Sequence, residues 1–166
     1  MPDLSLALSP LDPNDLAPID KLDDRAFGPG RYALTAYRLR EGVAPDFALS
    51  CVARVGTLLV GANRITPIRC GDKPALLLGP LTVDPQFRSR GIARAMIEFS
   101  LERARGVGHQ LVILVGDESY YKRFGFSRAP GGRLSVPGPV DPSRLLYLEL
   151  AQGAFEGVKG MIARAE

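Results

Sequence analysis

The most informative stretch of this sequence is Leu81-Thr82-Val83-Asp84-Pro85-Gln86-Phe87-Arg88-Ser89-Arg90-Gly91-Ile92-Ala93-Arg94. Its order predicts that a strand ends near Val83, a turn follows at Asp84-Pro85, and a helix begins at Gly91. The first N–H groups of a helix have no partner within the helix, and the helix dipole makes them attractive to anions. Gly91 lets a ligand approach the backbone without a Cβ in the way. The stretch therefore predicts an anion site, with Arg88, Arg90 and Arg94 adding positive charge around it.

Two better-known phosphate-binding sequences are absent from this stretch. No Gly-Lys-Ser/Thr follows, so it is not a Walker loop. The spacing G-x-G-x-x-G of a dinucleotide-binding turn is also missing. Taken alone, a basic turn before a helix is as consistent with a solvated helix cap as with a ligand site.

The rest of the chain is predicted to mix helices and strands. The predicted helices are Leu16–Phe27, Ala33–Glu41, a long one from Gly91 to about Arg105 and a short one over Tyr120–Phe124. The predicted strands are Phe47–Arg54 and Leu58–Pro67, which form an antiparallel hairpin around Gly56, then Leu76–Val83, Leu111–Val115 and Leu145–Leu150. Pro80 cannot donate to a ladder, so the strand 76–83 should splay from a neighbour there. We predict one α/β domain over residues 1–166, with helices packed on one layer of sheet.

Composition argues against several classes of protein. The net charge is +3, from 21 Lys and Arg against 18 Asp and Glu, which is too small to indicate a nucleic-acid-binding protein. The first ten residues lack a signal peptide's basic region, and no apolar run approaches the roughly 18 residues of a membrane span. We therefore expect a cytoplasmic protein that binds neither membrane nor nucleic acid.

Few side chains could supply metal ligation or a catalytic thiol. His109 is the one histidine, and it is expected in an exposed loop. Cys51 and Cys70 have no histidine near them in sequence, so neither is expected to be an activated nucleophile. We expect no metal site, while a disulfide between the two cysteines stays open.

Two motifs together resemble the GNAT superfamily of N-acetyltransferases. The pattern R-x-x-G-x-A, at Arg88–Ala93, is similar to that family's acetyl-CoA pyrophosphate loop. In the family this loop follows L-x-V-x-P, matched here by Leu81, Val83 and Pro85. The second motif, an aromatic-Tyr-x-x-x-Gly-Phe run, is Tyr120-Tyr121-Lys122-Arg123-Phe124-Gly125-Phe126. Two motifs in the family's order are far more specific than either alone, and the resemblance is sharp over residues 76–126.

The resemblance implies a fold and a role for each motif residue. The fold is a mixed, mostly antiparallel sheet of the α+β kind, splayed where acyl-CoA binds and flanked by helices. Acetyl-CoA is the implied co-substrate, and its pyrophosphate would be held by backbone N–H groups of Arg88, Ser89, Arg90, Gly91, Ile92, Ala93 and Arg94. The backbone of Val83 would pair with the pantetheine arm. The Leu81 N–H would face the thioester carbonyl and stabilise the oxyanion.

Tyr121 occupies the position of the family's usual general acid, which protonates the departing CoA thiolate. Neighbouring residues on a helix point about 100° apart, so Tyr120 is expected to pack while Tyr121 faces the cleft.

The general base is the part of the family pattern that this sequence does not match. Many members place a glutamate on the strand before the loop, where this chain has Leu77. The asparagine often found after the next strand is also missing, with Gly116-Asp117 nearby. A protonated amine must lose a proton before it attacks. Water, Asp117, Glu118 or an acceptor of low pKa would each meet that need.

The resemblance implies transfer of an acetyl group to a primary amine of a small molecule or peptide, by direct attack on the thioester. The alternative is a non-catalytic acyl-CoA-binding sensor or regulatory module, which the absence of a carboxylate at residue 77 keeps open. The acceptor pocket is expected from residues 27–41, the hairpin and the tail after Phe126. Its candidate side chains for an anionic or aromatic acceptor are Arg31, Tyr32, Tyr37 and Arg38. Monomer and homodimer are equally open.

Overall fold

The computed structural model describes residues 5–27, 39–40 and 42–165. The predicted helix over 33–41 falls outside them except for Leu39 and Arg40, which are helical. The candidate acceptor residues Arg31, Tyr32, Tyr37 and Arg38 also lie outside the described residues.

Besides the helical residues Leu39 and Arg40, the described part of the chain contains nine strands and three α-helices. The strands are β1 (Leu6–Pro10), β2 (Cys51–Val55), β3 (Leu58–Cys70), β4 (Lys73–Val83), β5 (Leu111–Val115), β6 (Ser127–Arg128), β7 (Leu134–Ser135), β8 (Leu145–Glu149) and β9 (Gly160–Arg164). The helices are α1 (Leu16–Phe27), α2 (Ile92–Gly106) and α3 (Glu118–Tyr121). Short 3₁₀ turns at Pro13–Asp15, Pro85–Phe87, Lys122–Phe124 and Pro142–Arg144 lead into or out of these elements.

The strands form a mixed sheet in the order β1-β2-β3-β4-β5-β8-β6. Neighbours along this path are antiparallel except β4 and β5, which run parallel. Strand β9 pairs with the far end of β3 and, in parallel, with β7. The predicted mostly antiparallel α/β sheet with flanking helices is confirmed.

The sheet opens between β4 and β5. Their ladder contains only two pairs, Leu76 with Val112 and Leu77 with Ile113, although β4 continues to Val83. On its other side β4 stays paired with β3, but the register shifts beside Gly79 and Pro80. Gly79 has a φ of +121°, which a residue with a side chain rarely adopts. The predicted splay at Pro80 is therefore present.

Helices α1 and α2 cover opposite faces of the sheet. The buried face of α2 contains Ile92, Met96, Ile97, Leu101 and Ala104, which are the residues that its periodicity predicts. Burying a side chain the size of isoleucine or methionine stabilises the fold by about 1.5–3 kcal/mol. On the opposite face, Ile19 of α1 packs with Val52 and Ala62. None of the described helices combines the length and apolar character needed to cross a membrane.

Candidate active site

The loop between β4 and α2 is shaped by left-handed backbone at two positions. Asp84 opens the turn by accepting a hydrogen bond from Gln86 N at 2.9 Å. Ser89 then has a φ of +64° and Gly91 a φ of +79°, which bends the backbone into the start of α2. Within the described chain, no side chain caps this helix at Gly91. The first N–H groups of α2 are consequently left for a ligand.

Six of the seven predicted loop residues line one cavity of about 560 Å³, which we call the loop cavity. They are Arg88, Ser89, Gly91, Ile92, Ala93 and Arg94. Arg90 is not part of the lining, and its guanidinium lies over the Phe87 ring, 5.4 Å from the ring centre. Arg94 lines the cavity and also forms a salt bridge with Glu98, in which Nε lies 2.7 Å from Oε1. The arginine cluster thus contributes two side chains to the cavity rather than three.

The end of β4 and the end of α1 form further walls of the loop cavity, which Phe87, Tyr120 and Arg123 complete. Leu81, Thr82 and Val83 line it from β4, and Ala26 and Phe27 line it from α1. The two elements are joined by a buried hydrogen bond, in which Thr82 Oγ1 donates to Asp23 Oδ1 at 2.6 Å. The predicted ligand-binding backbone at Leu81 and Val83 therefore borders the same cavity as the loop.

A second cavity of about 390 Å³ lies in the opening between β4 and β5, and we call it the splay cavity. It is lined by Phe27, Arg40, Leu78, Gly79, Pro80, Leu81, Val115, Gly116, Asp117, Tyr120, Tyr121 and Arg144. Three of these residues, Phe27, Leu81 and Tyr120, also line the loop cavity. Leu81 therefore stands where the two cavities join.

Tyr121 lies against the end of β5, with its ring over Gly116. A Cβ at Gly116 would be 2.6 Å from Tyr121 Cε2, so the ring occupies space that only a glycine leaves. Burial raises the pKa of Tyr121 to about 12, the charges of Tyr120 and Asp117 act in the same direction, and Arg144 opposes them. The phenol therefore stays protonated well above neutral pH.

Tyr120 faces the cleft as well, which differs from the prediction that it only packs. It lines both cavities, and the guanidinium of Arg123 lies 4.6 Å from its ring centre. The two tyrosine rings meet edge to face, with centres 5.0 Å apart. A short helix ending in a 3₁₀ turn thus brings both aromatic side chains to the opening of the sheet.

Asp117 is the one carboxylate among the described residues that line the splay cavity. It caps α3, accepting hydrogen bonds from Ser119 N at 3.1 Å and Ser119 Oγ at 2.9 Å. Glu118 points elsewhere and pairs with Arg128 at 3.2 Å. Leu77, at the position of the usual family base, is 1% exposed and packs with Ile113 in the core.

The remaining candidates take no part in either cavity. His109 borders a different depression, formed with residues 67–69 and 74–76. Cys51 and Cys70 are buried and free, and burial raises their pKa values to about 12 and about 11. In the described part of the chain, no group of three or more His, Cys, Asp and Glu side chains could hold a metal ion.

Curated bacterial relatives align with most of the length of this chain. Residues 46–128 match the family model described as an acetyltransferase (GNAT) domain. The chain is 29% identical over 152 residues to the uncharacterised N-acetyltransferase YhbS of Escherichia coli K12, covering 90% of each protein. It is 32% identical over 132 residues to the uncharacterised N-acetyltransferase YjhQ of the same strain, covering 77% of this chain and 72% of YjhQ.

Two crystal structures of related proteins, one in complex with CoA and one with acetyl-CoA, have the same fold. The Escherichia coli YhbS structure, in complex with CoA, has a TM-score of 0.83 and 28% identity, covering 100% of this chain and 93% of that one. A GNAT family acetyltransferase from Brucella melitensis, in complex with acetyl-CoA, has a TM-score of 0.64 and 26% identity, covering 93% and 100%. Sequence, fold and cleft agree, and this chain belongs to the GNAT superfamily of N-acetyltransferases.

Proposed function

We propose that this protein transfers the acetyl group of acetyl-CoA to a primary amine by direct attack of the amine on the thioester. The observation that carries the proposal is the meeting of the two cavities at Leu81. One cavity offers an uncapped helix start for phosphates, and the other offers a protonated phenol. CoA and acetyl-CoA in the structures of the two relatives support the choice of donor.

The pyrophosphate of acetyl-CoA would bind the backbone N–H groups from Arg88 to Arg94. The side chains of Arg88 and Arg94 line the loop cavity and add charge there, while Arg90 contributes its backbone. The pantetheine arm would follow the end of β4. Beyond Leu77 no described strand pairs with β4 on the side of β5, so we take the backbone of Val83 to be available to the pantetheine amides.

The chemistry would take place beside Leu81 and Tyr121. The amine nitrogen forms a bond to the thioester carbon, and the carbonyl oxygen becomes an oxyanion that the Leu81 N–H stabilises. The nitrogen of the intermediate, now cationic, gives a proton to water. The intermediate then collapses, the C–S bond breaks, and Tyr121 gives its proton to the leaving thiolate. The amide product and CoA are left, and the phenol is reprotonated from solvent.

We assign deprotonation of the amine to water. This requires an acceptor whose amino group is partly neutral at the working pH. The family's usual base position holds the buried Leu77, and residues 76–83 of β4 include no acidic or basic side chain. Asp117 borders the cavity, and its Oδ1 already accepts two hydrogen bonds from Ser119 as the cap of α3.

Thermal unfolding with and without acetyl-CoA tests the donor site. A ligand at a hundred times its dissociation constant stabilises a protein by about 2.7 kcal/mol, so the Tm should rise clearly. An unchanged Tm at saturating acetyl-CoA contradicts the proposal. Release of CoA thiol with a panel of primary amines then tests transfer. Stabilisation by acetyl-CoA with no thiol release from any amine would instead favour a non-catalytic acyl-CoA sensor.

A further inference from the structure

The splay cavity carries more positive than negative charge, which is unexpected for a site that receives an amine. Its charged lining residues, among those the structure describes, are Arg40, Arg144 and Asp117. An alkylamine arrives largely as a cation, and like charges repel in a partly buried site. The cavity therefore disfavours a simple amine or a polyamine, and favours an acceptor that brings a negative charge with it.

Arg144 lies at the end of this cavity that contains Tyr121, because its backbone is hydrogen-bonded to Gly116. The Gly116 N–H donates to the Arg144 carbonyl oxygen at 2.8 Å, and the ring of Tyr121 packs against the same glycine. The charge of Arg144 also acts on Tyr121, where it opposes the rise of the pKa. An anion bound to Arg144 would thus be held close to the reacting atoms.

The side chain of Arg144 is not held by a described carboxylate, which sets it apart from five of the described arginines. Its exposed side chain forms no salt bridge with a described carboxylate. Salt bridges are instead made by Arg25, Arg54, Arg64, Arg94 and Arg128. The neighbouring Asp141 feels the charge of Arg144, but its carboxylate accepts hydrogen bonds from Ser143 N and Ser143 Oγ, and it does not line the cavity.

We infer that the acceptor is a small amino-acid-like amine, whose carboxylate is bound by Arg144 while its amine faces the thioester. This inference rests on the proposed function and specifies its substrate class. A guanidinium matches a carboxylate with two parallel hydrogen bonds, which fixes orientation as well as charge. A volume of about 390 Å³ suits a small molecule that enters whole.

Pairs of amines that differ only in a carboxylate or a carboxamide test the inference. Glycine, alanine and phenylalanine are each compared with their amides, with rates expressed per free amine, and spermidine serves as a polycation. The wild-type protein should prefer the carboxylate member by at least about tenfold in kcat/KM. Arg144→Gln should remove that preference, chiefly through KM. Arg105→Gln, an exposed arginine of α2 outside both cavities, should keep it.

Binding of the products gives a readout that does not need turnover. Titration calorimetry of the CoA-loaded protein should show N-acetylphenylalanine binding at least about tenfold more tightly than its amide, and Arg144→Gln should equalise them. Equal binding in the wild type, or no binding of any carboxylate product, overturns the inference. A preference that survives in Arg144→Gln overturns the assignment to that residue. Preferential binding without thiol release from any amine would refute the proposed transfer and leave the carboxylate site standing.

Discussion

Gly116 leaves the space that the ring of Tyr121 fills. A Cβ at position 116 would lie 2.6 Å from Tyr121 Cε2, 3.1 Å from Cδ2 and 2.9 Å from Leu114 Cδ1. Real Cβ atoms do not approach other heavy atoms this closely, so the orientation of the phenol depends on the absence of one methyl group at the end of β5. Packing against Gly116 therefore holds the ring of the proposed acid in place.

Gly116→Ala should therefore lower kcat by displacing the proposed acid. The overpacked ring must move, at a cost of roughly 1–3 kcal/mol in stability. Steady-state rates and thermal unfolding measure the two effects. Gly106→Ala is the matched control, because a Cβ at Gly106 meets nothing within 4 Å. It should leave kcat unchanged and the Tm unchanged or slightly higher.

The double variant shows whether Gly116 acts through Tyr121. If it does, adding Gly116→Ala to Tyr121→Phe should lower kcat little further, because the hydroxyl is already gone. Fully multiplicative losses would mean that Gly116 affects the rate by another route.

Gly91→Ala should weaken acetyl-CoA binding beyond its cost in stability. No protein atom lies within 4 Å of a Cβ at Gly91, so the added methyl group would enter only the space assigned to the pyrophosphate. The φ of +79° adds backbone strain of roughly 1–2 kcal/mol. Gly108→Ala matches that strain, with a φ of +91° and no atom within 4 Å, outside both cavities. Calorimetric titration should show a loss of affinity for Gly91→Ala alone, and equal losses would place the pyrophosphate elsewhere.

Local sequence signals predicted the elements that build the loop cavity. Each of these signals acts within a few residues. The apolar period of α2 predicted the helix, the glycine before it predicted where the helix begins, and the proline in β4 predicted the splay from β5. The run of apolar residues in β4 does not show on which face of the sheet Leu77 lies. Its burial beside Ile113 follows once the parallel pairing of β4 with β5 is known.

Features that depend on distant pairing could not be predicted in this way. Strand β9 forms on Ile68–Cys70 of β3 and begins at a glycine, so its own five residues give little strand signal. Strand β1 is a short edge strand that ends in Pro10. Arg144 reaches the splay cavity only because β8 pairs with β5, which brings the start of β8 beside Gly116. No motif within residues 141–145 indicates that position.

Asp117→Asn should leave the acidic limb of the rate profile unchanged. Asparagine can still cap α3 through its side-chain oxygen, so the variant removes the charge and keeps the turn. Glu118→Gln is the companion variant and weakens the ion pair with Arg128 outside the cavity. The dependence of kcat/KM on pH between about 6 and 9 decides the matter. Loss of the acidic limb in Asp117→Asn alone would make Asp117 the general base and contradict deprotonation by water.

Tyr121→Phe should lower kcat and leave acetyl-CoA affinity nearly unchanged. The change removes only the hydroxyl, and the ring keeps its packing against Gly116 and its edge contact with Phe126, whose ring centre is 6.0 Å away. General acid catalysis contributes typically 10²–10⁴-fold, and we expect about the lower limit because a thiolate leaves readily. Tyr147→Phe is the control: Tyr147 stacks on Phe155 at 4.0 Å and lines neither cavity.

The pH dependence of this effect separates an acid from a merely structural hydroxyl. Burial raises the pKa of Tyr121 from 10.0 to about 12, so its neutral, proton-donating form persists through pH 10. The ratio of wild-type to Tyr121→Phe kcat should therefore stay constant from pH 7 to 10. A phenol of ordinary pKa would be half ionised at pH 10, and the ratio would fall toward half its neutral value. Equal kcat in both proteins would mean that solvent protonates the thiolate, whereas a large loss confined to Tyr120→Phe would move the acid to the tyrosine that borders both cavities.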